Sequence, residues 1–264
     1  MTRWRLKRML QRVMLGMLAV GGMQQVRAQG SATGAVQAPG EPLTLYAVKY
    51  GESAYPAVRL IKGDTSGKNL TIAWMFYAVK AGREIVLIDT GFSDTNEASR
   101  SGVTLLPYQP ALAAVGITPE TVTHVVLTHT HSDHAANVSL YPKATVIVNR
   151  REEGSAFLKT VGRDRLVTFD ASYPVMPGMT VRRVGGHTAG SSVVELAVCG
   201  KTYLLAGDEA YLPENLSKLI PVGSAVDVNA NLKFLTMAKN SGAVVLTLHD
   251  PAVVKAGCVR QIAP

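Results

Sequence analysis

Three of the chain's six histidines fall within one six-residue stretch, His129-Thr130-His131-Ser132-Asp133-His134. Imidazoles and carboxylates this dense suit divalent cations, zinc best among them, with iron, cobalt and manganese acceptable to the same donors. A strand end followed by a curling loop lets alternating side chains converge on two neighbouring ions. Structural zinc favours four cysteine-rich ligands, whereas His and Asp without Cys favour an open, water-bearing catalytic site. Three further donors stand in the same setting, each directly after a run that reads as a strand: His187 in Gly185-Gly186-His187-Thr188-Ala189-Gly190, Asp208 in Ala206-Gly207-Asp208, and His249 in Leu248-His249-Asp250. Taken singly, His187 or Asp208 is as well explained by a turn or a cap. Taken jointly, seven donors at strand ends point to a two-metal centre of hydrolytic type. The remaining histidine, His124, begins the strand that ends at His129, too far back to join them, and reads as structural.

Such donors need buried strands that stop abruptly. The β-rich runs Leu43 to Val48, Ala57 to Ile61, Leu70 to Val79 and Ile85 to Asp89 read as an antiparallel meander. The last is continuously apolar, as in a strand buried on both faces, and breaks at Asp89-Thr90-Gly91. Trp74, Met75, Phe76 and Tyr77 read as core filling of their strand, with lining of the substrate pocket as the alternative. Helical spacing follows over Tyr108 to Val115, then strands at His124 to Thr128 and Ala144 to Val148 and a polar helix from Arg150 to Lys159. Strands recur at Val181 to Val184 and Ser192 to Val198, with a tight hairpin at Cys199-Gly200-Lys201 into Thr202 to Ala206. A helix over Asn229 to Lys239 and a last buried strand, Ala243 to Leu248, complete the pattern. Two such halves suggest two sheets packed face to face with helices outside, an α/β arrangement whose ligands gather at strand ends.

The H-x-H-x-D-H stretch, the later Gly-His-Thr-x-Gly, the Gly-Asp and the final His resemble the metallo-β-lactamase superfamily from Leu43 onward. The resemblance implies an αββα sandwich holding two Zn2+. It assigns His129, His131 and His187 to one ion, Asp133, His134 and His249 to the other, and Asp208 to both. Asp89 resembles the family's carboxylate that orients a ligating histidine, and a turn cap is the alternative for it.

The family's β-lactamases typically carry Cys or Ser where Asp208 stands. The bridging carboxylate resembles instead glyoxalase II, lactonases, phosphotriesterase-like enzymes and nucleases. Tyr211, three residues after Asp208 and followed by Glu214-Asn215, resembles the N-acyl homoserine lactonases, which open the ring of quorum-sensing signals. That resemblance implies attack by a metal-bridging hydroxide, Tyr211 on the carbonyl oxygen and Asp133 as proton shuttle. Two departures bear on the substrate: a short segment between His134 and His187, and Gly190-Ser191 where the family often has Gly-His, both read as pocket wall. The alternatives are an exported phosphotriesterase-like, ester or β-lactam hydrolase on the same metals, and a noncatalytic metal-binding protein. A glyoxalase II reading is disfavoured, since the 15 residues after His249 leave no room for its helical C-terminal region.

Residues 1–28 read as a secretory signal peptide: a basic start at Arg3, Arg5, Lys7 and Arg8, an apolar stretch from Val13 to Met23, and Val26-Arg27-Ala28 as cleavage site. A periplasmic or secreted enzyme is therefore expected, with residues 29–42 a flexible linker and 43–264 the metallo-hydrolase domain. The leader carries six of the 27 Lys and Arg and no acid, so the formal +8 falls to +2 in the mature chain. Near-neutrality argues against nucleic acid or an anionic membrane as partner, leaving a small ester or lactone and an open question of homodimerisation. Cys199 and Cys258 lie far apart in sequence and form no C-x-x-C pair, so they are no metal site. An oxidising compartment would permit a disulfide between them without requiring one.

Overall fold

The computed structural model describes residues 43–264, so the expected leader and linker lie outside the described residues. The chain up to Phe169 builds seven strands of a mixed sheet of eight. Its members are β1 (Thr44–Pro56), β2 (Asn69–Ala81), β3 (Glu84–Ile88), the short β4 (Thr104–Leu105), β5 (His124–Leu127), β6 (Thr145–Asn149) and β7 (Leu166–Phe169). The second sheet has five strands, β8 (Ser172–Met176), β9 (Met179–Arg183), β10 (Ser192–Val198), β11 (Lys201–Leu205) and β12 (Val244–Leu246), while the terminal β13 (Val259–Ala263) returns to pair with β1. The expected meander is real: β1, β2 and β3 are antiparallel neighbours. Beyond it β3, β5, β6 and β7 run parallel, which brings the loops after β3 and β5 side by side at one end of the sheet.

Alternation along the strands explains the layering. In β2, Ala73, Met75, Tyr77 and Val79 face inward and meet Val181, Val194, Leu196 and Leu205 of the second sheet. Ile72, Trp74, Phe76 and Ala78 point to the other face, against Tyr108 and Leu112 of the helix Tyr108–Ala114. The outer face of the second sheet is covered by the longest helix among the described residues, Val228–Asn240, whose Phe234, Leu235 and Ala238 pack on Val193, Leu204 and Ala206. Helix, sheet, sheet, helix is the order of layers, as expected of an αββα sandwich.

Three expected elements differ, one being the last buried strand over Ala243 to Leu248, which is the short, part-exposed edge strand β12 and is followed by β13. Ala57 to Ile61 is not a strand but one helical turn, Ala57–Leu60, in which Ala57 and Leu60 are buried while Val58 and Arg59 are exposed. That three-residue spacing of apolar contacts suits a turn of helix, and Pro56 fixes its entry. The polar helix at 150–159 resolves into two 3-10 turns, Arg150–Glu152 and Phe157–Thr160, separated at Gly154-Ser155. Cys199 is exposed, Cys258 is part-buried, and both thiols are free.

Candidate metal centre

The seven predicted donors converge into two groups that share one member. His129 follows β5, and the chain then makes the helical turn Ser132–Ala135, with His131 just ahead of it and its carbonyl accepting from the His134 and Ala135 amides, which leaves the His131 ring free of the turn. That turn folds His131, Asp133 and His134 onto one end of the sheet. Asp208 enters on a 3-10 turn, Gly207–Glu209, after β11, and His249 follows β12. His249 is fixed to the first sheet, its Nδ1 2.9 Å from the Ala73 carbonyl oxygen. Both sheets therefore contribute.

The first group comprises His129, His131, His187 and Asp208. His131 Nδ1 lies 2.9 Å from His129 Nε2 and 3.1 Å from His187 Nε2, and Asp208 Oδ2 is 3.3 Å from His187 Nε2. The second comprises Asp133, His134, His249 and Asp208, with His134 Nε2 3.1 Å from Asp133 Oδ2 and 3.2 Å from Asp208 Oδ1. Four ligands held at about 2.1 Å from a tetrahedral zinc stand about 3.4 Å apart, close to these separations. Asp208 presents one oxygen to each group, as a bridging carboxylate must. His134 Nε2 is buried and forms no well-aligned hydrogen bond, although Asp133 and Asp208 oxygens stand 3.1 and 3.2 Å from it. A buried ring nitrogen so unpartnered fits a cation that takes the place of its proton. The two groups are thus consistent with a dinuclear metal centre.

Electrostatics prepare the ligands. Burial pushes His187 down to about 4, with His131 and His134 adding to the effect, and burial together with His134 holds His129 well below the usual histidine range, so both imidazoles are neutral and ready to bind. Burial also opposes a charge on His134, but Asp133, Asp208 and Asp89 override it and hold that ring well above the usual histidine range. Asp208, disfavoured by burial, is kept ionised chiefly by the charge of His134 beside it.

Behind the ligands stands a set of buried partners. Asp89, at a positive φ of 67°, accepts from His134 Nδ1 at 2.8 Å and from the Thr128 amide at 2.7 Å, the orienting role expected of it rather than a turn cap. Sequence reasoning missed Glu209. One of its oxygens accepts from the Gly186 and His187 amides at 2.9 and 3.0 Å and from Ser191, and the other accepts from Asn231 at 2.6 Å. Burial raises the Glu209 carboxyl, and these donors oppose that rise. A Cβ on Gly186 would stand 2.3 Å from Glu209 Oε2, so only glycine fits there. Ser191 is accordingly no pocket wall but a buried part of this network. Glu152, also missed, joins the two histidine loops, accepting from the Thr130 hydroxyl at 2.8 Å and from the Thr188 hydroxyl at 2.6 Å. Glu209's place beside Asp208 is its only sequence signal, and Glu152 has none.

Above the ligands lies a cleft of about 120 Å3 lined by Tyr55, Arg59, Trp74, Tyr211 and Ser224, and a shallower groove of about 450 Å3 adjoins it past Trp74 and Phe92. Trp74 therefore lines the site, its indole edge-on to His249 at 5.3 Å and its N–H donating to Ser53, while Met75, Phe76 and Tyr77 fill the core as expected. Tyr211 sits between the rings of His187 and His249, at 5.9 and 5.1 Å. His124 lies apart, beside Glu84 and Thr123.

A family model described as the metallo-beta-lactamase superfamily matches residues 74–247. The chain belongs to the metallo-β-lactamase superfamily. The N-acyl homoserine lactonase AttM of Azorhizobium caulinodans is 34% identical over 163 residues, which cover 52% of this chain and 62% of that enzyme, less than two thirds of its length. In fold, the superfamily member resembles an N-acyl homoserine lactone hydrolase with N-hexanoyl-L-homoserine bound at its catalytic metal centre. The TM-score is 0.70 at 21% identity, over 83% of this chain and 98% of that one. AidC, a dizinc quorum-quenching lactonase, gives a TM-score of 0.66 at 16% identity over 85% and 95%.

Proposed function

We propose that the chain hydrolyses the lactone ring of N-acyl homoserine lactones, with zinc as its metal. The observation that carries this reading is the Tyr211 side chain, set in the cleft between His187 and His249 and beside the shared carboxylate of Asp208. The AttM lactonase relationship and the dizinc AidC fold support it. Two bound zinc ions would polarise the ester carbonyl and acidify a water. Burial, reinforced by the negative charge of Asp208, pushes the Tyr211 phenol far above its usual range, so it keeps its proton and donates to the carbonyl oxygen as charge grows there. Asp133 is held ionised by His134 against the effect of burial and lines the cleft, where it can take the water's proton and return it to the ring oxygen that leaves. The net change is addition of water across the ester C–O bond.

A narrow cleft leading into an open groove suits a small planar ring with a tail more than a three-armed phosphotriester. The protein expected from the leader is an exported enzyme meeting diffusible signals outside the cytoplasm. The test is ring opening of a panel of N-acyl homoserine lactones by zinc-loaded protein, followed as proton release, with His131→Ala as blank and paraoxon and nitrocefin alongside. Lactone turnover absent from the variant is the expected result. Turnover of paraoxon or nitrocefin with silence on every lactone would keep the metals and overturn the substrate.

A further inference from the structure

The loop 221–227 ahead of the longest helix carries Ser224, a residue with no motif around it. Its Oγ lies 3.1 Å from Nδ1 of His187 and 2.9 Å from the Tyr211 hydroxyl, so it links a metal-group histidine to the phenol in the cleft. Contacts outside the site fix the loop. The Val222 amide donates to Asn231 at 3.1 Å and the Asp227 amide to the Gly186 carbonyl at 3.0 Å. Gly223 runs so close to Val58 that a Cβ would stand 1.7 Å from its carbonyl oxygen. Ser224 is thus preorganised.

Three polar groups in a row cannot orient their protons independently. His187 turns Nε2 toward Asp208 and His131, and a metal there uses the Nε2 lone pair, which leaves the ring proton on Nδ1. Nδ1–H then donates to Ser224 Oγ. The single Ser224 proton is free to go to the Tyr211 oxygen, and the Tyr211 proton is left to face the cleft. With Nδ1 bare the order reverses: Ser224 donates to His187, Tyr211 donates to Ser224, and only a phenol lone pair faces a substrate carbonyl, which repels it.

We propose that Ser224 is a positioning residue that couples metal binding at His187 to the hydrogen-bond direction of Tyr211, so that a loaded site presents Tyr211 as a donor. No proton changes owner between residues along the Ser224 and Tyr211 links, because those bonds only reorient. The inference rests on the lactonase reading of Tyr211.

The experiment compares Ser224→Ala, Ser224→Thr, Tyr211→Phe and the Ser224→Ala/Tyr211→Phe double variant, each as the full zinc-loaded protein with its melting temperature recorded. Ser224→Ala should lower kcat on a lactone roughly 10- to 100-fold with KM within about twofold, and should weaken zinc in chelator competition about tenfold. Ser224→Thr keeps a hydroxyl and should recover both. The double variant should be no slower than Tyr211→Phe alone, because the Ser224 effect on turnover passes through Tyr211. Fully multiplicative losses in the double variant, or a Thr variant as slow as Ala, overturn the coupling. Wild-type turnover by Tyr211→Phe shows that the Tyr211 reading is what failed. Unchanged zinc affinity in Ser224→Ala overturns the His187 link separately.

Discussion

Replacing Asp89 by asparagine should damage the metal centre without touching a ligand. Asparagine keeps the side-chain shape and tolerates the left-handed backbone at φ 67°. Asp89 now receives the Thr128 amide at Oδ1, 2.7 Å away, and His134 Nδ1 at Oδ2, 2.8 Å away. An amide has one oxygen, so either orientation sets its NH2 against an N–H. Facing His134, it drives the ring proton to Nε2, the atom that must hold the metal. The lost charge-assisted bond contributes about 1.5–3 kcal/mol, or roughly a 10- to 100-fold loss of metal affinity. Facing Thr128, it strands a buried amide at a cost of about 1–3 kcal/mol, a fall in melting temperature of about 2–4 °C per kcal/mol for a domain of this size. Competition with a chromophoric chelator reads the first outcome and a thermal melt the second. Wild-type affinity for both metals together with an unchanged melt would refute the assignment of Asp89.

Tyr211→Phe should retain both metals yet lose on the order of 100-fold in lactone kcat, checked by metal analysis beside steady-state kinetics. Loading the group that contains His134 should expel the proton that Asp133, Asp208 and Asp89 hold on that ring. Below the raised His134 pKa, affinity there should fall about tenfold for each unit the pH drops, since metal and proton compete. His187 should add no such proton until the pH nears about 4. Calorimetric titration in two buffers of different ionisation enthalpy counts the protons released. Gly223→Ala, whose Cβ would meet the Val58 carbonyl oxygen at 1.7 Å, should destabilise by about 1–3 kcal/mol and lower kcat as the Ser224 loop moves; a normal melt with full turnover would show that the loop yields freely.

The donors were legible in the sequence because a metal centre constrains residue type. His129, His131, Asp133, His134, His187, Asp208 and His249 are residue types able to hold a cation, and β-rich runs ahead of them announce the strands that deliver them. The layering was legible for the same reason, since period-two alternation in β2 already divides Met75 and Tyr77 from Trp74 and Phe76. Which face of β2 meets the second sheet, and so whether Trp74 or Met75 borders the metals, depends on strands more than a hundred residues away. The residues that orient the ligands were hidden: Ser224, Glu152 and Glu209 are ordinary types in ordinary contexts. They act only because the 221–227 loop, a 3-10 turn and the residue after Asp208 are folded against His187 and the histidine loops. Metal chemistry selects its donors by atom type, which a sequence records, whereas a hydrogen bond to a donor needs only a polar atom about 3 Å away, and that distance is fixed by tertiary packing.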